Sequence, residues 1–490
     1  MITRWFIGCG LVLGLVAAGC GSDSSATAGS GGSAGSGGEG GSGGAFVPPE
    51  FGSWVKFEPE GATCSNGDPY AFYVEFSETS DNIVMYFMGG GGCWDYDSCV
   101  GGGARGAANP NGLPDDYANV HATFELGDAE LAINVNQVYP LLNNDPAVSP
   151  MADWNKVFVP YCTGDVYSGS ITNTYQDPDG IEPDAVFAHV GHTNVVKMTE
   201  MLNEMFGAAP EKKLFVGGCS AGGAGAIVNY YFLRTGIDGV QQGYLLNDSG
   251  PIYPSTAPTS RSRFLHDEVR SVWDADSLIA KAPQSEALAD DFGALSRVLS
   301  EEFPNDRLAA TYFRLDYNFS LYSYERFWEL DQDNMLVEFQ GDGLGLDENV
   351  SADRTGIHTA WWDDTALLRE QYDAPGRDNL GYFIPYWRQT NSSHCVTIPG
   401  LEENPPLILL DNFAELAWDG TEITTDDGEM TIHNYAVHLL SDEPLKSYFE
   451  AEGEGPFVPC TPGADFDEVA CEAAVNPPAP YKKGTVPFNS

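Results

Sequence analysis

The run Gly217-Gly218-Cys219-Ser220-Ala221-Gly222-Gly223 constrains this chain more than any other feature. It follows the apolar run Lys213-Leu214-Phe215-Val216 and leads into the helix-compatible stretch Gly223-Ala224-Gly225-Ala226-Ile227-Val228-Asn229-Tyr230-Tyr231. A serine in G-x-S-x-G between a strand and a helix sits on a cramped turn, where small neighbours let the backbone pass and the hydroxyl stands clear above the sheet. A bare glycine-rich turn would explain the glycines, but not strand, turn and small-residue helix start in that order. The pattern predicts an α/β fold with Ser220 as a nucleophile.

Other apolar runs agree with that architecture. Residues 83–88 read as a near-continuous buried strand ending at Gly89-Gly90-Gly91-Gly92, and residues 156–160 as a second, leading into Tyr161-Cys162-Thr163-Gly164-Asp165. Residues 243–246 end at Asn247-Asp248-Ser249-Gly250, and the runs 309–315 and 380–386 supply the last two strands. Val195, Val196, Met198, Met201, Leu202, Met205 and Phe206 recur at helical spacing, which predicts a covering helix with its methionines as packing residues. The fold class expected is α/β-hydrolase-like, a mainly parallel sheet flanked by helices with insertions, with residues 46–490 as a single domain.

The ends of the chain carry different signals. An uncharged, largely apolar stretch at residues 5–18 after Arg4 is too short to span a bilayer and suits a signal sequence. It closes on Ala17-Ala18-Gly19-Cys20, which resembles a lipoprotein box and makes residues 1–20 a signal peptide with Cys20 as the lipidated end. Residues 21–45 are almost wholly Gly, Ser and Ala, a flexible tether with a reach of about 25–30 Å. The expectation is an exported protein whose only membrane contact is that anchor. Ten cysteines include Cys9 and Cys20, leaving Cys64, Cys93, Cys99, Cys162, Cys219, Cys395, Cys460 and Cys471. In an exported chain without C-x-x-C spacing these predict disulfides rather than a metal site, with Cys93/Cys99 and Cys460/Cys471 close enough in sequence for local pairs.

With 71 acidic against 23 basic residues the formal charge is −48, which repels nucleic acid and anionic headgroups. A polyanionic substrate would need screening or a local patch around Arg105, Arg314 or Arg388. The acidic runs at 177–182 and 331–334 do not place a glycine sixth and a glutamate twelfth, as a calcium-binding loop requires, and read as solvated surface. No cofactor or metal is expected, and the chain is read as a monomer.

Ester chemistry needs a nucleophile, a base, an orienting acid and donors for the oxyanion. Backbone N–H groups of Gly90, Gly91 and Ala221 are candidates for the last role, because glycine leaves that approach open. The base should follow the serine and the acid in chain order, which sets aside His121, His189, His192 and His266. Of the remainder, His394 in Ser393-His394-Cys395 lies beyond the 380–386 strand, whereas His433 and His438 sit in a helical pattern and His358 has no strand before it. Asp316 after the 309–315 run is the favoured acid, with Asp248 and Asp342 as rivals.

Taken together, these motifs resemble the pectin acetylesterase and Notum family of carboxylester hydrolases. The resemblance rests on the glycine run with Cys93-Trp94, on Val159-Pro160-Tyr161-Cys162-Thr163-Gly164-Asp165-Val166-Tyr167-Ser168-Gly169, on the Ser220 elbow, on Asp248-Ser249-Gly250 and on Ser393-His394-Cys395, all in family order. It implies Ser220 as nucleophile, His394 as base, an oxyanion hole at the glycine run and Ala221, and Trp94 lining the acyl pocket. The family's acid follows a tyrosine and precedes a polar residue and Gln, whereas Asp316 follows Leu315. The stretch from Asp316 to His394 is longer than in the family, so that an insertion holding Trp361-Trp362 would reshape or cap the pocket. The function implied is removal of a short acyl group, plausibly acetyl, from a polysaccharide or related ester. The alternatives are hydrolysis of longer acyl esters, as in the Notum branch, and an inactive surface glycan-binding protein.

Overall fold

The computed structural model describes residues 46–100, 107–126, 129–178, 180–207, 209–316, 318–324, 327–330, 336–338, 355–388, 393–398, 422–425 and 428–451. The expected signal peptide and tether at 1–45, and Arg105, Asp342, the run 331–334, Cys460 and Cys471, lie outside the described residues.

Nine strands form one sheet: β1 (Val55–Phe57), β2 (Phe72–Glu75), β3 (Ile83–Phe87), β4 (Asn155–Val159), β5 (Lys212–Cys219), β6 (Val240–Asp248), β7 (Arg307–Thr311), β8 (Leu380–Ile384) and β9 (Tyr448–Phe449). Their order across the sheet is β1-β2-β4-β3-β5-β6-β7-β8-β9, and every neighbouring pair is parallel except the two that involve β2. This is the α/β-hydrolase-like architecture expected from the runs. β3 and β4 are buried along their whole length, which is why they read as continuous apolar runs without alternation. Two expectations need correction. The 309–315 run stops at Thr311 rather than continuing to Leu315, and the sheet has a further edge strand, β9, beyond β8.

Seven helices are used below: α1 (Gly191–Phe206), α2 (Ala221–Gly236), α3 (Arg263–Trp273), α4 (Leu295–Glu302), α5 (Phe319–Tyr324), α6 (Thr355–Tyr372) and α7 (Ile432–Leu439). α1 is the covering helix predicted from the apolar spacing between Val195 and Phe206, and Met198 is fully buried in it. α2 follows β5 with only Ser220 between them and lies across β3, β5 and β6. It approaches so closely that a Cβ on Gly222 would stand 2.0 Å from the Phe87 carbonyl oxygen, and one on Gly223 2.3 Å from that of Asp248. Side chains cannot occupy those positions, and the small residues of the elbow are explained by this contact rather than by loop freedom.

The insertion before His394 packs differently from the expectation. Trp361 on α6 is fully buried against Tyr253 and Tyr312, and its indole N–H donates to the Phe313 carbonyl at 3.2 Å. Trp362 donates to the Arg314 carbonyl at 2.9 Å. The pair braces the segment leading to Asp316 and does not line the cavity described below. Disulfides join Cys64 to Cys162, Cys93 to Cys99 and Cys219 to Cys395. Among the described residues no helix is long and apolar enough to cross a membrane.

Candidate active site

Ser220 sits at the C-terminal end of β5, immediately before the first residue of α2, with φ 58° and ψ −126°. A non-glycine residue in that region is held there by its surroundings. Here the Ser220 N–H donates to the Asp248 carbonyl at 2.9 Å, and the Ala224 N–H donates to the Ser220 carbonyl at 3.1 Å. Ala221 is the first helical residue, so its N–H belongs to the donors that an α-helix leaves without an internal partner.

His394 and Asp316 meet from different parts of the chain. The imidazole Nδ1 is 2.7 Å from Asp316 Oδ2, and both side chains are buried. Asp316 Oδ1 accepts from the N–H groups of Asn318 and Phe319 at 2.9 and 2.8 Å, so the turn into α5 fixes its carboxylate. A ring nitrogen of His394 lies within 4.8 Å of the Cys219 sulfur, which brings the imidazole to the residue preceding Ser220. The sulfurs of Cys219 and Cys395 are spent in their disulfide, as are those of Cys93 and Cys99 beside His189, so neither His/Cys cluster is a metal site.

The rival acid, Asp248, does not touch the imidazole. Its carboxylate accepts instead from the backbone N–H groups of Val396 and Thr397, both at 2.8 Å. Other histidines are occupied elsewhere: His189 contacts Tyr175 Oη and the Thr163 carbonyl at 2.7 and 3.0 Å, His192 contacts Asn229 at 2.8 Å, and His121 contacts Tyr139 at 2.8 Å. His358 lies in α6, and His433 and His438 lie in α7, in keeping with their helical pattern.

A cavity of about 680 Å³, including its open mouth, begins at Ser220 and Ala221. Its walls are predominantly apolar, with Trp94, Val166, Ile252, Val269, Trp273 and Phe292 among them. Gly91 and Gly92 face it, whereas Gly90 does not, being packed where a Cβ would lie 2.6 Å from that of Ala108 and 2.8 Å from the Tyr161 ring. The glycine pair facing the cavity is therefore one residue further on than expected. Trp94 stands between Trp273 and Phe327, with ring centroids 6.3 and 6.1 Å away.

The segment 161–169 supports one wall. Asp165 is fully buried and accepts from Thr163 Oγ1 at 2.6 Å and from the N–H groups of Tyr167, Gly169 and Gly191 at 3.1, 3.1 and 2.7 Å. Burial pushes its carboxyl up to about 6 despite these donors. The tight loop it organises carries Val166 and Ser168 onto the cavity wall.

Of the basic residues expected to form a surface patch, Arg388 is buried and donates to the carbonyls of His394 and Cys395 at 3.2 and 2.9 Å. Arg314 stacks 4.6 Å from the Trp362 ring. Neither makes a free cationic patch. Sequence reasoning also missed the cavity-forming residues of α3 and α5, which carry no motif, and the contacts of Asp248. The Asp-Ser-Gly run was the available signal for the latter, but a strand-end aspartate does not announce which groups it accepts from.

Residues 54–290 match the sequence model of one family, described as Pectinacetylesterase. The match includes the glycine run and Ser220 but ends before Asp316 and His394. Among curated proteins, the chain is 24% identical over 182 residues to "Pectin acetylesterase 4" of Arabidopsis thaliana, covering 36% of this chain and 38% of that protein. It is 26% identical over 177 residues to "Palmitoleoyl-protein carboxylesterase notum2" of Xenopus laevis, covering 34% and 29%. The alignments thus span less than two fifths of these relatives' length. A solved structure of the Wnt deacylase Notum from Drosophila aligns over 68% of this chain and 84% of its own, at 18% identity and a TM-score of 0.42.

Proposed function

We propose that this chain, whose residues 54–290 match the pectinacetylesterase family model, is a serine carboxylester hydrolase of that kind in which Ser220, His394 and Asp316 act as nucleophile, base and orienting acid. The observation that carries this reading is the 2.7 Å contact between His394 Nδ1 and Asp316, on the loop that also meets the Ser220 elbow. With Nδ1 directed at the carboxylate, Nε2 is the nitrogen that takes the serine proton as Oγ attacks the ester carbonyl. The carbonyl oxygen becomes an oxyanion received by the N–H of Ala221 and by the glycine run at Gly91. His394 then returns the proton to the leaving alcohol. Water, deprotonated by the same imidazole, releases the acid and restores Ser220.

The cavity supports a refinement of the expected substrate. Apolar side chains from Trp94 to Phe292 suit an acyl tail. An acetyl group would leave most of that wall uncovered, so a medium or longer acyl chain is the better fit. The acyl group is carried on a polysaccharide or related ester, and three disulfides accord with an exported protein. Turnover of p-nitrophenyl esters from acetyl to dodecanoyl tests both parts. The expected result is kcat/KM rising at least about tenfold from acetyl to octanoyl, as burying several methylenes allows, with Ser220→Ala inactive throughout. A preference for acetyl returns the substrate to a short acyl group. Undiminished turnover by Ser220→Ala overturns the mechanism.

A further inference from the structure

Asp248 closes β6 and is buried, and its two halves hold opposite sides of the site. Its carbonyl accepts from the Ser220 N–H at 2.9 Å. Its carboxylate reaches the histidine loop. Oδ1 accepts from the Val396 N–H at 2.8 Å and from Ser249 Oγ at 2.9 Å, while Oδ2 accepts from Thr397 N–H at 2.8 Å and Thr397 Oγ1 at 2.6 Å. Ser249 Oγ in turn accepts from the Cys395 N–H at 3.0 Å. Three successive amides, 395 to 397, therefore converge on one acceptor cradle made of Asp248 and Ser249. Charge-assisted bonds of this kind are short and fix geometry more firmly than neutral ones.

The segment so fixed begins one residue after His394. Ser393 and Cys395, on either side of it, have φ values of 50° and 60°, and Ser249 in the cradle has φ 51°. Non-glycine residues hold that conformation only where neighbours over-determine it. Arg388 completes the restraint from the other side, through the carbonyls of His394 and Cys395. The backbone around the imidazole is thus held by hydrogen bonds from Arg388 and to Asp248 and Ser249.

We propose that Asp248, together with Ser249, is a positioning residue for the reaction: it registers His394 against Ser220 by bonding the elbow through its carbonyl and the histidine loop through its carboxylate. The inference rests on the reading of Ser220 and His394 as nucleophile and base. It gives Asp248 a role distinct from the acid, which Asp316 fills. A purely structural aspartate would affect how much protein folds, whereas a positioning one affects the rate of each folded molecule. Misplacing a reacting group by about 1 Å costs on the order of 100-fold in rate.

The test compares Asp248→Asn, Thr397→Val and Ser249→Ala with a control, Asp306→Asn. Asp306 is a buried carboxylate that bonds Tyr230 and Arg234 at 2.9 and 2.8 Å just before β7, at the opposite end of the strands from Ser220. Active sites are counted by titration with a fluorophosphonate, and kcat and KM are measured on p-nitrophenyl butyrate per titrated site. Asp248→Asn is expected to lower kcat roughly 10–100-fold with KM within about twofold, and Thr397→Val and Ser249→Ala about 3–10-fold each. Asp306→Asn is expected to lower the melting temperature while keeping kcat per site. If Asp248→Asn yields no folded protein, Thr397→Val and Ser249→Ala carry the test. Values of kcat per site within twofold of wild type in all the cradle variants that fold overturn the proposal alone. A wild-type protein that cannot be titrated at Ser220 overturns the parent reading and this one with it.

Discussion

At the scale of single residues, His266 shows how the cavity wall couples to pH. It is 7% exposed on α3, between the apolar cavity and a polar pocket that holds Arg263, Asp267 and Arg270, and its Nδ1 has no hydrogen-bond partner among the described residues. Burial pushes the imidazole down to about 4, against the smaller upward pull of Asp291 and Asp267. Because the folded value lies below the unfolded one, the unfolded chain takes the proton first as pH falls. The neutral imidazole's share of stability is therefore present above about 6.5 and is lost progressively toward 4, to a limit of about 3 kcal/mol. Asp165 and Asp364, pushed up to about 6 by burial, act with the opposite sign: the folded state holds their protons more tightly, so stability falls as pH rises from about 4 to 6. A single-site comparison separates these. Melting temperatures of wild type and His266→Phe should converge near pH 7.5 and diverge in favour of the variant toward pH 4.5, whereas parallel curves would contradict a buried neutral imidazole. Motif and chain order singled out the Ser220 turn and the His394 loop that the structure brings together, because the elbow carries a steric demand and the loops follow the strands in order. Asp248 was readable only as a candidate acid, since a carboxylate's partners come from loops brought together by folding.

At the scale of elements, the histidine loop is joined covalently to β5 and by hydrogen bonds to the end of β6. The Cys219–Cys395 disulfide joins positions 176 residues apart, with Cα atoms 5.5 Å from each other, and its cysteines directly neighbour Ser220 and His394. Closing so long a loop removes conformational freedom chiefly from the unfolded chain, for about 2–5 kcal/mol of stability. The double variant Cys219→Ala/Cys395→Ala should therefore lose that much in urea denaturation. An unchanged midpoint would show that the cross-link contributes nothing in solution. Sequence periodicity exposed the parallel strands and α1 because burial on both faces leaves continuous apolar runs and a helix on a sheet leaves a 3.6-residue stripe. It overran β7, where Tyr312, Phe313 and Leu315 prolong the apolar run but the chain leaves the strand after Thr311, under the bracing tryptophans of α6. It missed β9 because a two-residue edge strand has too few positions to show a pattern.

At the scale of the whole molecule, the sheet order places the ends of β3, β5, β6 and β7 side by side, and the glycine run, Ser220, Asp248 and the Asp316 segment follow them directly. Catalytic chemistry gathers there because successive crossovers put successive loops on one edge of a parallel sheet. Composition foretold the core, but the cavity is a property of tertiary packing: α3, α5 and the 251–252 segment meet over Ser220 without sharing any motif. The formal charge of −48 makes a neutral acyl ester a more natural visitor than an anionic polymer. What unites these levels is the claim that Ser220 is a nucleophile activated by His394. Intact-mass spectrometry of the whole protein after exposure to a fluorophosphonate, with peptide mapping of the adduct, tests it most directly. The account predicts one adduct on Ser220 in wild type, none in Ser220→Ala, and labelling slowed at least about 100-fold in His394→Ala through loss of the general base. An adduct on another residue, or equal labelling of wild type and His394→Ala, would contradict it.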